Sequence, residues 1–135
     1  MIGILVITHE DFGESLVRCA THILGARQPQ LMYINISIQD QPELVVNKAR
    51  ELVNKLNSGD GVLVLSDIYG ATPSNIACKL IVPGKVACIS GVNLPMLVKS
   101  LTYRMEPLAI LIEKTLNGGK DGVMHIQMES DTPAT

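Results

Sequence analysis

Aromatic residues are nearly absent from this chain, which has no Trp, one Phe and three Tyr. Aliphatic side chains must therefore fill its interior. Long apolar runs are missing too: the longest stretches reach about five to seven residues, far short of the roughly 20 that span a bilayer. The N-terminal Met1-Ile2-Gly3-Ile4 lacks the basic stretch that opens a secretory signal, so a cytoplasmic location is expected. No block of like charge occurs, and a formal net charge of -2 gives no reason to expect a nucleic acid or an acidic membrane surface as partner. Cysteines number three, Cys19, Cys78 and Cys88, with no C-x-x-C pair. That excludes the usual metal and redox spacings, and their aliphatic neighbours in sequence suggest packing residues.

What remains is a chain of 135 residues, 47% hydrophobic and 18% charged, enough for one ordinary domain with a real core. Ile2 to Ile7 form a continuous apolar run that ends at Thr8-His9 and reads as a buried strand. Asp11 and Glu14 have the spacing of a capping box, ahead of a helix with Leu16, Val17, Ala20, Ile23 and Leu24 on one face and Gly25 as its stop. Leu31 to Ile34 make a second short strand. A second helix starts near Pro42 and carries Leu44, Val45, Ala49, Leu52, Val53 and Leu56 on one stripe. Gly61 to Asp67 is the third strand. Gly70-Ala71 forms a tight loop, and Thr72-Pro73 supplies the usual order of N-cap and first helical residue for a short helix to about Ile81.

Lys85 to Gly91 is the fourth strand, Asn93-Leu94-Pro95 opens another helix, and a last helix runs from Pro107 to Asn117 with Gly118-Gly119 closing it. Met124, Ile126 and Met128 then alternate with His125 and Gln127, the pattern of a half-buried edge strand. Repeated strand-helix order calls for a flavodoxin-like α/β sandwich, with four parallel strands in the order 2-1-3-4 and helices on both faces, and the alternation adds a C-terminal edge strand, which the family resemblance given below implies is antiparallel. One domain over residues 1–128 and a polar tail over 129–135 are expected.

In such a sheet ligands bind beyond the carboxyl ends of the strands, where the strand order reverses. His9 follows strand 1 and Asp67 follows strand 3, which this order makes neighbours about 4.8 Å apart. A histidine that attacks phosphorus needs one ring nitrogen free and the other protonated. A carboxylate on the protonated nitrogen fixes that tautomer and steadies the ring after attack. The Gly70, Ala71, Thr72 loop allows close backbone approach, and the N–H groups of Ala71, Thr72 and Ser74 at a helix start attract phosphate. No Lys or Arg lies within ten residues of Asp67 or within eight residues after His9. His22 and His125 read as surface or boundary residues. Asn93 reads as a cap on the same rim. Glu10 and Asp11 beside His9 lack metal-ligand spacing, so no metal and no cofactor is expected.

Taken together, Ile4-Leu5-Val6-Ile7-Thr8-His9, the segment from Leu65 to Asn75 (LSDIYGATPSN) and the segment from Ser90 to Leu97 (SGVNLPML) resemble the IIA component of the mannose-type family of the bacterial sugar phosphotransferase system. The resemblance implies that His9 takes phosphate from the histidine phosphocarrier protein, itself fed ultimately from phosphoenolpyruvate. It implies that Asp67 bonds that histidine, and that Gly70 to Thr72 surround the phosphoryl group. It further implies a cytoplasmic homodimer that exchanges its C-terminal strand, here Val123 to Met128, and that meets the membrane only through a IIC/IID permease. With the sequence ending at residue 135, a separate IIB component is the expected acceptor. A regulatory phosphocarrier without transport, and the phosphotransferase subunit serving dihydroxyacetone kinase, are the alternatives within this chemistry. A histidine phosphatase would place arginines close to His9, and none is near in sequence.

Overall fold

The structure is a computed structural model that describes residues 1–128. The expected polar tail, 129–135, lies outside the described residues. Four strands form one parallel sheet: β1 (Gly3–His9), β2 (Leu31–Ile36), β3 (Val62–Ser66) and β4 (Val86–Ser90), in the order β2-β1-β3-β4. Five helices connect and flank them: α1 (Phe12–Leu24), α2 (Pro42–Leu56), α3 (Thr72–Cys78), α4 (Leu94–Thr102) and α5 (Leu108–Asp121).

The central strands are apolar throughout because both of their faces are covered. Ile4, Val6, Leu63 and Leu65 face α1, α4 and α5, where they meet Leu16, Val17, Ala20, Met96, Leu97, Leu101 and Leu111. Leu5, Ile7, Val62 and Val64 face α2 and α3, meeting Val46, Ala49, Leu52, Val53, Ile76 and Ala77. Each such fully buried Leu or Ile contributes about 1.5–3 kcal/mol of burial free energy, so β1 and β3 are the best-anchored strands. They also end beside the candidate site. At the opposite end of the sheet, the buried Arg104 donates to the carbonyl oxygens of Ile2, Pro29 and Gln30 and ties down the start of β1 and the turn into β2. Burial holds its guanidinium down to about 10.

Several sequence expectations are corrected. α1 begins after Asp11, but Asp11 makes no capping hydrogen bond. Glu14 instead accepts from Asn35 Nδ2 at 2.8 Å and sits 3.6 Å from Arg18. The cap comes from the buried Thr8, whose Oγ1 accepts from Gly13 N at 2.6 Å. At α3 the N-cap is Ala71, Thr72 is already helical, no side chain caps the turn, and the helix ends at Cys78 rather than Ile81. α5 runs straight through Gly118 and Gly119 to Asp121. Those glycines are packing positions, since a Cβ on Gly118 would meet Lys99 and one on Gly119 would meet Met96, and their bareness lets α4 and α5 approach closely.

Two of the cysteines are not packed inside. Cys19 and Cys78 are exposed and Cys88 is half-buried, all three as free thiols, because neighbours in a helical sequence point in different directions. Residues 123–128 form no strand within this chain, and Val123, Met124, Ile126 and Met128 are exposed. The expected C-terminal edge strand is therefore not formed within this chain: residues 123–128 pair with neither outer strand of the sheet, β2 or β4.

Candidate functional site

Parallel pairing sets Ile7 beside Ser66 and His9 beside Ile36, so β1 and β3 release their chains side by side at the carboxyl end of the sheet. β1 extends further. Glu10 N donates to Ile36 O at 2.8 Å, and Glu10 itself is left-handed, with φ 49°. That conformation is uncommon for a side chain larger than Gly or Asn. It turns the chain from β1 into α1 in two residues, Glu10 and Asp11.

This turn aims both hydrogen-bonding groups of His9 at Asp67. His9 N donates to Asp67 Oδ2 at 2.9 Å, and His9 Nδ1 lies 2.7 Å from the same oxygen. A carboxylate only accepts, so Nδ1 carries the proton and Nε2 presents its lone pair outward. The His9 ring is about half exposed, at 49% of its side-chain area, whereas Asp67 keeps only 12%. Asp67 Oδ1 accepts in turn from Ile68 N at 3.0 Å. Partial burial acts to raise the Asp67 carboxyl. The hydrogen bonds from the His9 backbone and ring, and the charge of that ring when protonated, outweigh burial and hold it below its ordinary value.

The loop after Asp67 turns through Gly70 in the left-handed region, φ 85°, where glycine is free of the Cβ penalty. α3 makes its first helical bond from Asn75 N to Ala71 O at 2.9 Å. The N–H groups of Thr72 and Ser74 therefore lie outside the helical ladder, and Pro73 has none to offer. Gly70 and Thr72 are exposed and Ala71 half-exposed, while the Ser74 side chain is buried. Ser74 has only its backbone to bring to this rim.

His9, Asp67, Gly70, Ala71 and Thr72 thus stand at the carboxyl end of adjacent strands β1 and β3, as the sequence had placed them. Asn93 occupies the same end after β4. It caps α4 by accepting from Met96 N at 2.9 Å, and it donates to Gly119 O at 3.0 Å. His22 and His125 are exposed, and neither is hydrogen-bonded to His9 or Asp67. Sequence reasoning missed Thr8, which bolts α1 to the residue before His9. Its signal was a lone hydroxyl closing an apolar run five residues ahead of a glycine. Among the described residues no group of three or more His, Cys, Asp or Glu side chains is placed to hold a metal ion, and no helix is long and apolar enough to cross a membrane.

A doubly wound parallel sheet with a histidine-carboxylate pair at its switch point defines a flavodoxin-like domain. Residues 3–114 match the family model described as PTS system fructose IIA component, EIIA-man. The chain is 30% identical over 139 residues to the PTS system mannose-specific EIIAB component of Escherichia coli K12, covering 98% of this chain and 43% of that protein. It thus spans less than half the length of that relative. It is 29% identical over 111 residues to the PTS system fructose-specific EIIA component of Bacillus subtilis, covering 82% of this chain and 75% of the relative. The solved mannose/sorbose specific IIA subunit from Enterococcus faecalis superposes with a TM-score of 0.85 over 97% of this chain and 98% of its own, at 19% identity, a likeness of fold. The chain belongs to the mannose-type IIA family of the sugar phosphotransferase system.

Proposed function

We propose that this protein carries a phosphoryl group on His9, taking it from the histidine phosphocarrier protein and passing it to a IIB component. The observation that carries the reading is the His9–Asp67 pair, with Nδ1 held at 2.7 Å and the opposite nitrogen facing solvent. In the forward step Nε2 attacks phosphorus and a new N–P bond forms. The bond from phosphorus to the donor breaks, and its electron pair stays on the donor's leaving nitrogen. The Nδ1 proton remains in place, and the positive ring that results is paired with Asp67. Transfer to the acceptor runs these events in reverse. The N–H groups of Ala71, Thr72 and Ser74 are the candidate donors to the phosphoryl oxygens, neutral groups that hold an anion without clamping it.

In this reading the protein works in the cytoplasm and meets the membrane only through a IIC/IID permease. It pairs as a homodimer in which residues 123–128 of each chain add an antiparallel strand to the other. The exposure of Val123, Met124, Ile126 and Met128 supports that pairing, because apolar side chains left in solvent gain by cover.

The test is incubation with phosphoenolpyruvate, the general enzyme I and the phosphocarrier. One acid-labile phosphate per chain is expected, and none in His9→Ala. Labelling that survives in His9→Ala overturns the assignment.

A further inference from the structure

At the end of the sheet away from His9, three cations converge on one cavity. Arg50 lies in the second half of α2, Lys79 directly follows α3, and Lys85 directly precedes β4. They line a cavity of about 410 Å³ together with Val86, which pairs with Val62 where β3 and β4 begin. Asp67 follows Ser66, the last residue of β3, so the length of that strand separates the cavity from the His9–Asp67 pair. Arg50 Nη2 donates to Lys79 O at 3.4 Å. That contact joins the α2 wall of the cavity to its α3 wall.

No carboxylate lines this cavity, and none of the three cations forms an ion pair among the described residues. Glu43 lines the adjoining hollow with Arg50 and Lys79 but pairs with neither. Hydrogen-bonding capacity follows the charge. Asn57 Oδ1 already accepts from Gly59 N at 2.9 Å and Gly61 N at 3.1 Å, which leaves its side chain only the Nδ2 donor to offer. Buried Val53, Leu80 and Val86 supply an apolar wall. An occupant that satisfies such a lining is anionic, rich in acceptors, and carries carbon to lie against the valines and the leucine.

We propose that this cavity binds a small organic phosphate, at a site separate from the His9–Asp67 pair. A phosphate monoester brings close to two negative charges and three strong acceptor oxygens. A single carboxylate brings one charge and answers three cations less well. Arg50 and Lys79, held together at the α2–α3 junction, take the phosphate, and Lys85 compensates the remaining charge. Asn57 Nδ2 donates to an oxygen of the carbon skeleton, and Val53, Leu80 and Val86 cover its apolar face. The volume lies in the range of small-molecule sites. Inorganic phosphate meets the cations but gains nothing from the apolar wall, and a neutral sugar meets the wall but gains nothing from the cations.

The experiment titrates the full chain with glucose 6-phosphate, glycerol 3-phosphate, inorganic phosphate and glucose, read by amide NMR shifts and calorimetry. The two organic phosphates are expected to shift the amides of Val53, Asn54, Leu80 and Lys85. Inorganic phosphate should bind at the same amides about 10-fold more weakly, and glucose not at all. In R50Q/K79Q the organic phosphates should bind about 10-fold more weakly or worse, with the melting temperature of wild type showing that the variant is folded. Lys85→Gln, which leaves the α2–α3 contact intact, should weaken them in the same direction. Cavity amides that stay silent up to about 10 mM of every probe overturn the inference, as do affinities unchanged in both variants. Shifts centred on His9 and Thr72 instead place the anion at the other end of the sheet and also overturn it. Inorganic phosphate binding as tightly as both organic phosphates shows a site for simple anions only, and the proposed ligand class is then wrong.

Discussion

Asp67 Oδ2 accepts two hydrogen bonds from one residue, the backbone N–H of His9 at 2.9 Å and its ring Nδ1 at 2.7 Å. The carboxylate therefore fixes the main chain and the side chain of the histidine together. A ring held at Cα and at Nδ1 has little freedom left. In Asp67→Ala the ring swings free and loses its counter-charge, and labelling is expected to slow on the order of 10²-fold, measured as an initial rate with the phosphorylated carrier. Asp67→Asn keeps the shape and loses the charge, and should fall between Asp67→Ala and wild type.

The same pair makes a pH prediction. Asp67 titrates below its ordinary value in the fold, so the unfolded chain binds its proton more readily. The stabilisation is present above the unfolded carboxylate value, about 4, and is lost as pH falls through the depressed folded value. The melting temperature of wild type should therefore exceed that of Asp67→Asn by the largest margin above about pH 5. The margin should shrink on acidification. A gap that stays constant down to about pH 3 contradicts the assignment.

Gly13 predicts a sign. Gly→Ala in a helix normally stabilises by up to about 1 kcal/mol. Here a Cβ would meet Thr8 Oγ1 at 2.9 Å and Val6 Cγ1 at 3.0 Å, both on the strand that delivers His9. Gly13→Ala should cost about 1–3 kcal/mol and also slow labelling, because the Thr8 hydroxyl that caps α1 is displaced. Chemical denaturation gives the first quantity and the labelling rate the second.

Gly119 of α5 and Gly122, which caps its C-terminus, should differ. A Cβ at Gly122 would press on the rigid ring of Pro95, whereas at Gly119 it meets first the mobile end of Met96. Gly122→Ala is expected to destabilise by about 1–3 kcal/mol, and Gly119→Ala by well under half of that. Equal costs, read from urea midpoints, would argue against the close α4–α5 contact.

Most of the architecture was legible in the sequence because the strands are short unbroken apolar runs bounded by turn residues. α2 could be read from Pro42 to Leu56, its stripe lying on a single face. His9 and Asp67 were legible as a pair once the strand order was inferred, since that order alone puts β1 beside β3. The double hydrogen bond was not legible, because it depends on the left-handed turn at Glu10, which spacing does not announce. Caps at α1 and α3 were misread for a related reason: Asp11 and Thr72 have the right chemistry, but the chain places Thr8 and Ala71 at the geometry that matters. Gly118 and Gly119 looked like a helix stop, and tertiary packing against α4 overrode that local preference. The alternation at 123–128 is there in the sequence, but those residues pair with no strand of this chain.

The direct measurement of the account is nitrogen-15 NMR of the His9 ring in the phosphorylated protein. With Nδ1 committed to Asp67, phosphorus should bond Nε2, and Nδ1 should keep its proton. Phosphate found on Nδ1, or on a residue other than His9, contradicts the account.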